Sequence, residues 1–235
     1  MKKFIVDKTQ IEGDIITISG GEFDHLKKVL RLSCGDEIIV LCGDGREYLC
    51  KIDSIGTKSA EAKISNISKC HADPRIKITV YQGIPKGDKF EFLIQKLSEV
   101  GVTRLVPFNS EFVVAKCKDK QERFDKIAAE TCKQCGRSKP MEVGKPISFR
   151  ELLKEIRTHE ACYFAYEKAE SGSFNDVSNF YDIAIIVGSE GGFSEKESEE
   201  IISAGAKEIS LGKRILRTET ASLVLAGILS YLTNN

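Results

Sequence analysis

The sequence predicts an α/β protein, in which a small N-terminal β-barrel precedes a larger domain built on a mostly parallel sheet. Three observations carry this. Residues 1–70 hold short stretches of alternating apolar residues with Gly and Asp at the turns, the pattern of half-buried strands. From residue 76 onward, stretches of strand and helix character alternate. Between the two patterns lies a polar stretch around Asp73-Pro74, so domains at 1–72 and 73–235 are expected.

In the first domain the strands are FIVD, DIITIS, EIIVLC, EYLCKIDSI and SAEAKISNI, and one helical patch, FDHLKKVLRL, interrupts them. Cys34-Gly35-Asp36 and Gly43-Asp44-Gly45 supply turns of the kind a small barrel requires. The second domain opens with the buried strand IKITVYQG, and Asp88 is placed to cap the helix KFEFLIQKLSEVG, where Phe90, Leu93, Ile94 and Leu97 share one face. RLVPF, helices around 121–135 and 148–157, and the strands ACYFAY and DIAIIVG follow. Ser194-x-x-Glu197 reads as a capping box, and an apolar helix runs from about Thr218 to Leu232.

A chain of 235 residues that is 41% hydrophobic and 30% charged buries a sizeable core, and no apolar run approaches a membrane span. A soluble, cytoplasmic protein is expected. Eight cysteines at irregular spacing read as reduced thiols. Cys132 and Cys135 form a lone CxxC on a helical segment; without a second ligand pair, and with His25, His71 and His159 far apart, no metal site is expected. The formal net charge is zero, yet residues 74–150 carry +7 between segments of −1 and −6, so one region can still present a basic face to phosphates. Solvated helix faces would give the same count.

In open α/β sheets ligands bind beyond the carboxyl ends of the strands. Gly188-Ser189-Glu190-Gly191-Gly192-Phe193 lies there, and its three glycines let backbone N–H groups approach a ligand; a plain tight turn is the simpler reading. The stretch Leu211 to Ala221, LGKRILRTETA, leads from the strand KEISL into the last helix and should lie beside it. Thr and Glu are also ordinary first-turn helix residues, and Arg214 and Arg217 also read as simply exposed. Neither G-x-G-x-x-G nor G-x-x-x-x-G-K-[ST] occurs, which argues against dinucleotide and P-loop enzymes.

Together these stretches resemble the ribosomal RNA small subunit methyltransferase E family, within the SPOUT superfamily of knotted methyltransferases. GSEGGFSEKE matches the family's G-P-E-G-G-[FW]-[ST]-x-x-E except for Ser189 in place of proline, and LGKRILRTETA matches L-G-x-R-I-L-R-x-E-T-A in full. Upstream, KGDKFEFLIQKLSEVGV is similar to a third family segment, Glu130, Gln134 and Arg137 fall on its E-x-x-x-Q-x-x-R helix, and His25-Leu26 with Val29-Leu30-Arg31 match H-L-x-x-V-L-R. The N-terminus departs from the family's Arg-x-Phe, reading Lys2-Lys3-Phe4.

The resemblance implies a PUA-like barrel, a methyltransferase domain with a C-terminal trefoil knot, a homodimer, and S-adenosylmethionine as methyl donor to N3 of one uridine in small-subunit (16S) ribosomal RNA, within the assembled subunit. For the cofactor it points to Gly188, Gly191 and Gly192, to Leu211, Ile215, Leu216 and Thr220, and to Tyr166 as a further wall. Location in the two loops makes Arg217 the candidate for stabilising negative charge on the ring, with Glu219 or Glu190 as proton acceptor. Lys27, Lys28, Arg31, Lys86, Lys89 and Arg137 are the candidate RNA contacts; each also reads as a solvated charge, and Arg31 as a brace at the domain junction. Two rivals are a transfer-RNA ribose methyltransferase, whose last motif is typically rich in Asn and Ser, and an RNA-binding factor that has lost the chemistry.

Overall fold

A computed structural model describes residues 1–112, 120–169, 172–174 and 177–235. Contacts divide the chain into two units: Met1–Asp73 with Ala129–Pro140, and Pro74–Ala128 with Met141–Asn235.

In the first unit the alternating stretches become strands β1 (Lys2–Ile5), β2 (Ile11–Glu12), β3 (Ile15–Ser19), β4 (Glu37–Leu41), β5 (Arg46–Ile55) and β6 (Ser59–Lys69), with helix α1 (Gly20–Asp24) after β3. They form one mixed sheet in the order β1-β4-β5-β6-β3-β2, in which β1 and β4 are parallel and the other pairs antiparallel. The inward residues are every second one, as the strand repeat dictates: Ile16 and Ile18, Ile38 and Val40, Cys50 and Ile52, Ala60 and Ala62. Register shifts at Leu49/Cys50 and Ile52/Ser54 mark bulges in the long β5–β6 hairpin.

The helical patch differs from expectation. It starts at Gly20 and continues past Asp24 as a wider turn over His25–Val29, where Leu30 N–H donates to His25 O; it ends at Arg31, whose φ of 52° is left-handed. The segment 129–140 joins this unit through partners no linear boundary reveals: Ser138 N–H donates to Asp73 Oδ1 (2.7 Å), Gly43 N–H to Ser138 O (3.1 Å), and Lys133 pairs with Glu22 (2.7 Å).

The second unit contains β7 (Lys77–Gly83), α2 (Lys89–Glu99), β8 (Arg104–Asn109), the first half of α3 (Gln121–Cys135), β9 (Glu142–Val143), β10 (Ile147–Ser148), α4 (Phe149–Glu155), β11 (Ala161–Ala165), β12 (Asp182–Val187), α5 (Glu195–Ser203), β13 (Lys207–Ile209) and α6 (Thr218–Leu232). Its sheet runs β10-β8-β7-β12-β11-β13, with β9 also on β8, and every pairing is parallel. Parallel strands buried on both faces read as continuous apolar runs, and β12 does: Ile183, Ile185 and Val187 pack in the cluster that holds Leu93, Leu97, Leu225 and Leu229, while Ala184 and Ile186 pack in the one that holds Leu152 and Ile201. β12 follows β11 in sequence yet lies between β11 and β7, so the strand order reverses there.

The capping box at α5 is present, with Ser194 Oγ accepting from Glu197 N–H and Glu197 Oε2 from Ser194 N–H. Asp88 sits at the N-cap of α2 but its side chain makes no capping bond; with φ −90° and ψ 8° it lacks the extended backbone that aims a cap. Cys117 lies outside the described residues, and the other seven cysteines form no disulfide. Among the described residues no helix is long and apolar enough to cross a membrane, and no cluster of three or more His, Cys, Asp or Glu suited to a metal occurs.

Candidate active site

At the carboxyl ends of β11, β12 and β13 a cavity of about 680 Å³ opens, walled by residues 165–167 and 169, 187–193 and 210–218. The topological reversal puts it where open α/β sheets bind ligands. Of the expected cofactor residues, Tyr166, Gly188, Gly191, Gly192, Leu211, Ile215 and Leu216 line it. Thr220 does not: it points outward from the first turn of α6 and is exposed. Ala165, Glu167, Ser210, Lys213, Arg214 and Ala221 line the cavity without having been singled out from sequence.

The first loop is shaped by close approach. Ser189 and Gly192 form an isolated bridge, Gly192 N–H donating to Ser189 O (3.0 Å), and Gly192 takes φ +68°, which a side chain disfavours. A Cβ on Gly188 would lie 2.7 Å from the Phe193 ring, and one on Gly191 2.9 Å from Phe112 O. Ser189, the departure from the family's proline, is buried, and its Oγ accepts from Gly191 N–H at 3.4 Å, a bond proline has no oxygen to make. Tyr166 stacks on Phe164 with ring centroids 5.1 Å apart, and its N–H donates to Ile209 O, which fixes the third wall.

A buried polar network joins the loops, and sequence reasoning missed it. Thr218 Oγ1 donates to Gly188 O (2.5 Å) and accepts from Gln82 Nε2 (2.7 Å); Gln82 Nε2 also reaches Gly83 O and Gly188 O, and Gln82 Oε1 accepts from Ser222 Oγ (2.5 Å). Gln82 is 0% exposed and fully satisfied, so the start of α6, the end of β7 and the glycine loop are locked together. The available signal was a glutamine closing the otherwise apolar strand KITVYQG, since a buried amide demands partners. Thr218→Val keeps the shape but removes the hydroxyl that links the amide to Gly188 O, and should lower stability by about 0.5–1.5 kcal/mol, measured by urea denaturation.

The charged candidates separate. Arg217 and Glu190 line the cavity, whereas Glu219 lies behind its wall with a side chain 15% exposed. Lys89, expected at RNA phosphate, is instead engaged by both carboxylates, 2.9 Å from Glu190 Oε1 and 3.2 Å from Glu219 Oε2, the second an ion-pair distance without hydrogen-bond alignment. Lys86 N–H also donates to Glu190 (3.2 Å). Burial alone would raise the Glu190 carboxyl, but the Lys89 ammonium and the backbone N–H groups more than offset it and hold it below the ordinary carboxylate range.

Of the other RNA candidates, Lys86 is exposed. In the first unit Lys27 Nζ donates to Gly56 O and lies 5.3 Å from the Phe23 ring centroid, Lys28 makes an exposed pair with Asp24, and Arg31 is exposed. Arg137 corrects an expectation. It is 4% exposed, with burial pulling its guanidinium below its usual value, so it packs inside the first unit and cannot present its charge to a phosphate.

Residues 72–230 match the family model described as an RNA methyltransferase domain, and residues 18–65 match an RNA methyltransferase PUA domain. The chain is 34% identical to the ribosomal RNA small subunit methyltransferase E of Bacillus subtilis, over 99% of this chain and 97% of that one. Its fold is similar to the solved structure of a ribosomal RNA small subunit methyltransferase E from Neisseria gonorrhoeae bound to S-adenosyl methionine, with TM-score 0.89, 27% identity, and 99% and 98% of the two chains covered. It is also similar to a putative methyltransferase of Legionella pneumophila in complex with that cofactor, with TM-score 0.86, 27% identity, and 98% and 97% covered. Alignment over nearly the whole length, together with a domain match spanning the cavity and its supporting sheet, makes this chain a member of the ribosomal RNA small subunit methyltransferase E family.

Proposed function

We propose that the chain transfers a methyl group from S-adenosylmethionine to N3 of a uridine in small-subunit ribosomal RNA. The observation that carries this is the cavity of about 680 Å³ in which two loops of this family expose glycine backbone while Arg217 and Glu190 stand on the walls. Its size suits a small-molecule ligand of the adenosyl type. The donor set also fits: at Gly188 and Gly191 a Cβ would crowd the loop, Gly192 takes a φ that disfavours one, Tyr166 and Leu211 offer apolar surface, and Ile215 and Leu216 line the cavity, with the Ile215 side chain 90% exposed.

S-adenosylmethionine, when bound, supplies an electrophilic methyl on a sulfonium sulfur. The residues around it act by position. N3 lies on the pairing edge, so the base has to be turned out of any helix before it can enter the cavity. Glu190 would take the N3 proton on a carboxylate oxygen, which leaves the ring anionic and frees the N3 electron pair to accept the methyl group. Arg217 faces the negative charge that gathers on the ring oxygens. Glu190 takes the acceptor role over Glu219 because it alone of the two lines the cavity.

The same reading assigns residues 1–72 to a PUA-like barrel and 73–235 to a SPOUT domain whose last loops form a trefoil knot. The insertion of β12 between β7 and β11 supports the latter. RNA phosphates would meet Lys27, Lys28, Arg31 and Lys86, and the enzyme would act in the cytoplasm as a homodimer on the assembled small subunit. Small subunits from a strain lacking the enzyme, incubated with this protein and S-adenosylmethionine, should gain 3-methyluridine by nucleoside mass spectrometry. A ribose-methylated nucleoside, or no product, would refute the reading.

A further inference from the structure

We propose that Lys89 is a positioning residue for this reaction: from the first turn of α2 it bridges Glu190 and Glu219 and thereby holds Glu190 aimed at the imide N–H of the pyrimidine. The proposal rests on the reading of the cavity given above.

The three charges form a chain that crosses two walls of the site. Glu190 belongs to the loop after β12, Glu219 to the first turn of α6, and Lys89 Nζ stands 2.9 Å from one carboxylate and 3.2 Å from the other. The Lys89 side chain is one-third exposed, and the Glu219 oxygen it meets is buried and among the described residues has no hydrogen-bond partner, so this pair is partly sheltered from the screening that weakens surface ion pairs. Glu219 also sits in the first turn of α6, where the aligned peptide dipoles attract a carboxylate. Glu190 is held twice, by the Lys89 ammonium and by Lys86 N–H, both from the segment that opens α2. The carboxylate is therefore fixed in direction by a single short stretch of backbone.

A lysine placed to meet RNA phosphate would be expected free of acidic partners, and Lys89 has two. The other charged groups on the cavity wall are Glu167, Lys213, Arg214 and Arg217, and among the described residues none of them is hydrogen-bonded or ion-paired to Glu190. Glu190 thus depends on Lys89 for its side-chain counter-charge. Removing the ammonium leaves two carboxylates near one another, and each then opposes ionisation of the other. An acceptor acts only when ionised, so activity that falls as pH drops through the Glu190 pKa should fall at a higher pH once Lys89 is gone.

The test compares wild-type, Lys89→Met and Lys89→Arg in methylation of small ribosomal subunits across pH, with S-adenosylmethionine affinity measured by calorimetry on each. Lys89→Met should lose about 10–100-fold in kcat and shift the acid limb of the kcat profile upward by about one pH unit, with cofactor affinity within a few-fold of wild-type. Lys89→Arg should restore the limb and most of the rate. An unmoved limb in Lys89→Met overturns the proposal, as does a loss of cofactor affinity that accounts for the loss of turnover, because Lys89 would then only support the pocket. A wild-type protein that neither binds the cofactor nor methylates would instead refute the underlying reading.

Discussion

Gly83→Ala is expected to weaken S-adenosylmethionine binding and to cut turnover by about 100-fold, since displacements of order 1 Å in a positioned site cost that much in rate. Gly83 ends β7, and a Cβ there would lie 2.3 Å from Ser189 N, 2.7 Å from Gly188 C and 3.2 Å from Gly188 Cα. All three are backbone atoms of the glycine loop, so no side-chain rotation relieves the clash. Nor can the loop simply retreat, because Val187 is in register with Gln82 on β7 and Thr218 holds Gly188 O. The loop must shift as a body, carrying Gly191, Gly192 and Glu190 with it. Gly227→Ala is the matching control, since a Cβ there meets nothing within 4 Å and helix α6 accommodates alanine; its cofactor affinity should equal wild-type. Calorimetry on both variants decides the matter: near-equal affinities would mean the pocket is not built on the β7–loop contact.

Arg217→Ala should reduce kcat by about 100–1000-fold, the range for losing one donor to a developing oxyanion, while leaving cofactor affinity within a few-fold. Arg217 is exposed at the N-cap of α6 and lines the cavity; it contributes no capping bond, so its loss spares the helix. It also has no ion-pair partner among the described residues, in contrast with Lys89. Single-turnover methylation with saturating S-adenosylmethionine separates the two effects. Wild-type turnover in the variant would remove Arg217 from the reaction.

Much of the architecture was legible because it rests on local patterning. The period-2 stretches of the first 70 residues and the apolar run DIAIIV fold as read, and the Ser194–Glu197 box caps α5 as its spacing requires. The glycine-rich loop and the LGKRILRTETA stretch were also readable, and they meet at one cavity. What escaped was long-range. Ser138 finds Asp73, and Gln82 finds Thr218 and Ser222, across separations that no periodicity encodes. Lys89 looked like a phosphate contact because its two carboxylate partners lie far away in sequence. Arg137 looked exposed because a helical motif does not reveal which face is covered. Asp88 carried the right side chain for a cap, but its backbone takes another conformation.

The central claim is that glycine-loop backbone at the carboxyl ends of β11, β12 and β13 encloses the methyl donor. Calorimetric titration of S-adenosylmethionine into wild-type protein and into Gly192→Val tests it most directly, because Gly192 combines φ +68° with a place on the cavity wall. Saturable binding by wild-type and none by the folded variant is the predicted result. Equal binding by the two proteins would contradict it.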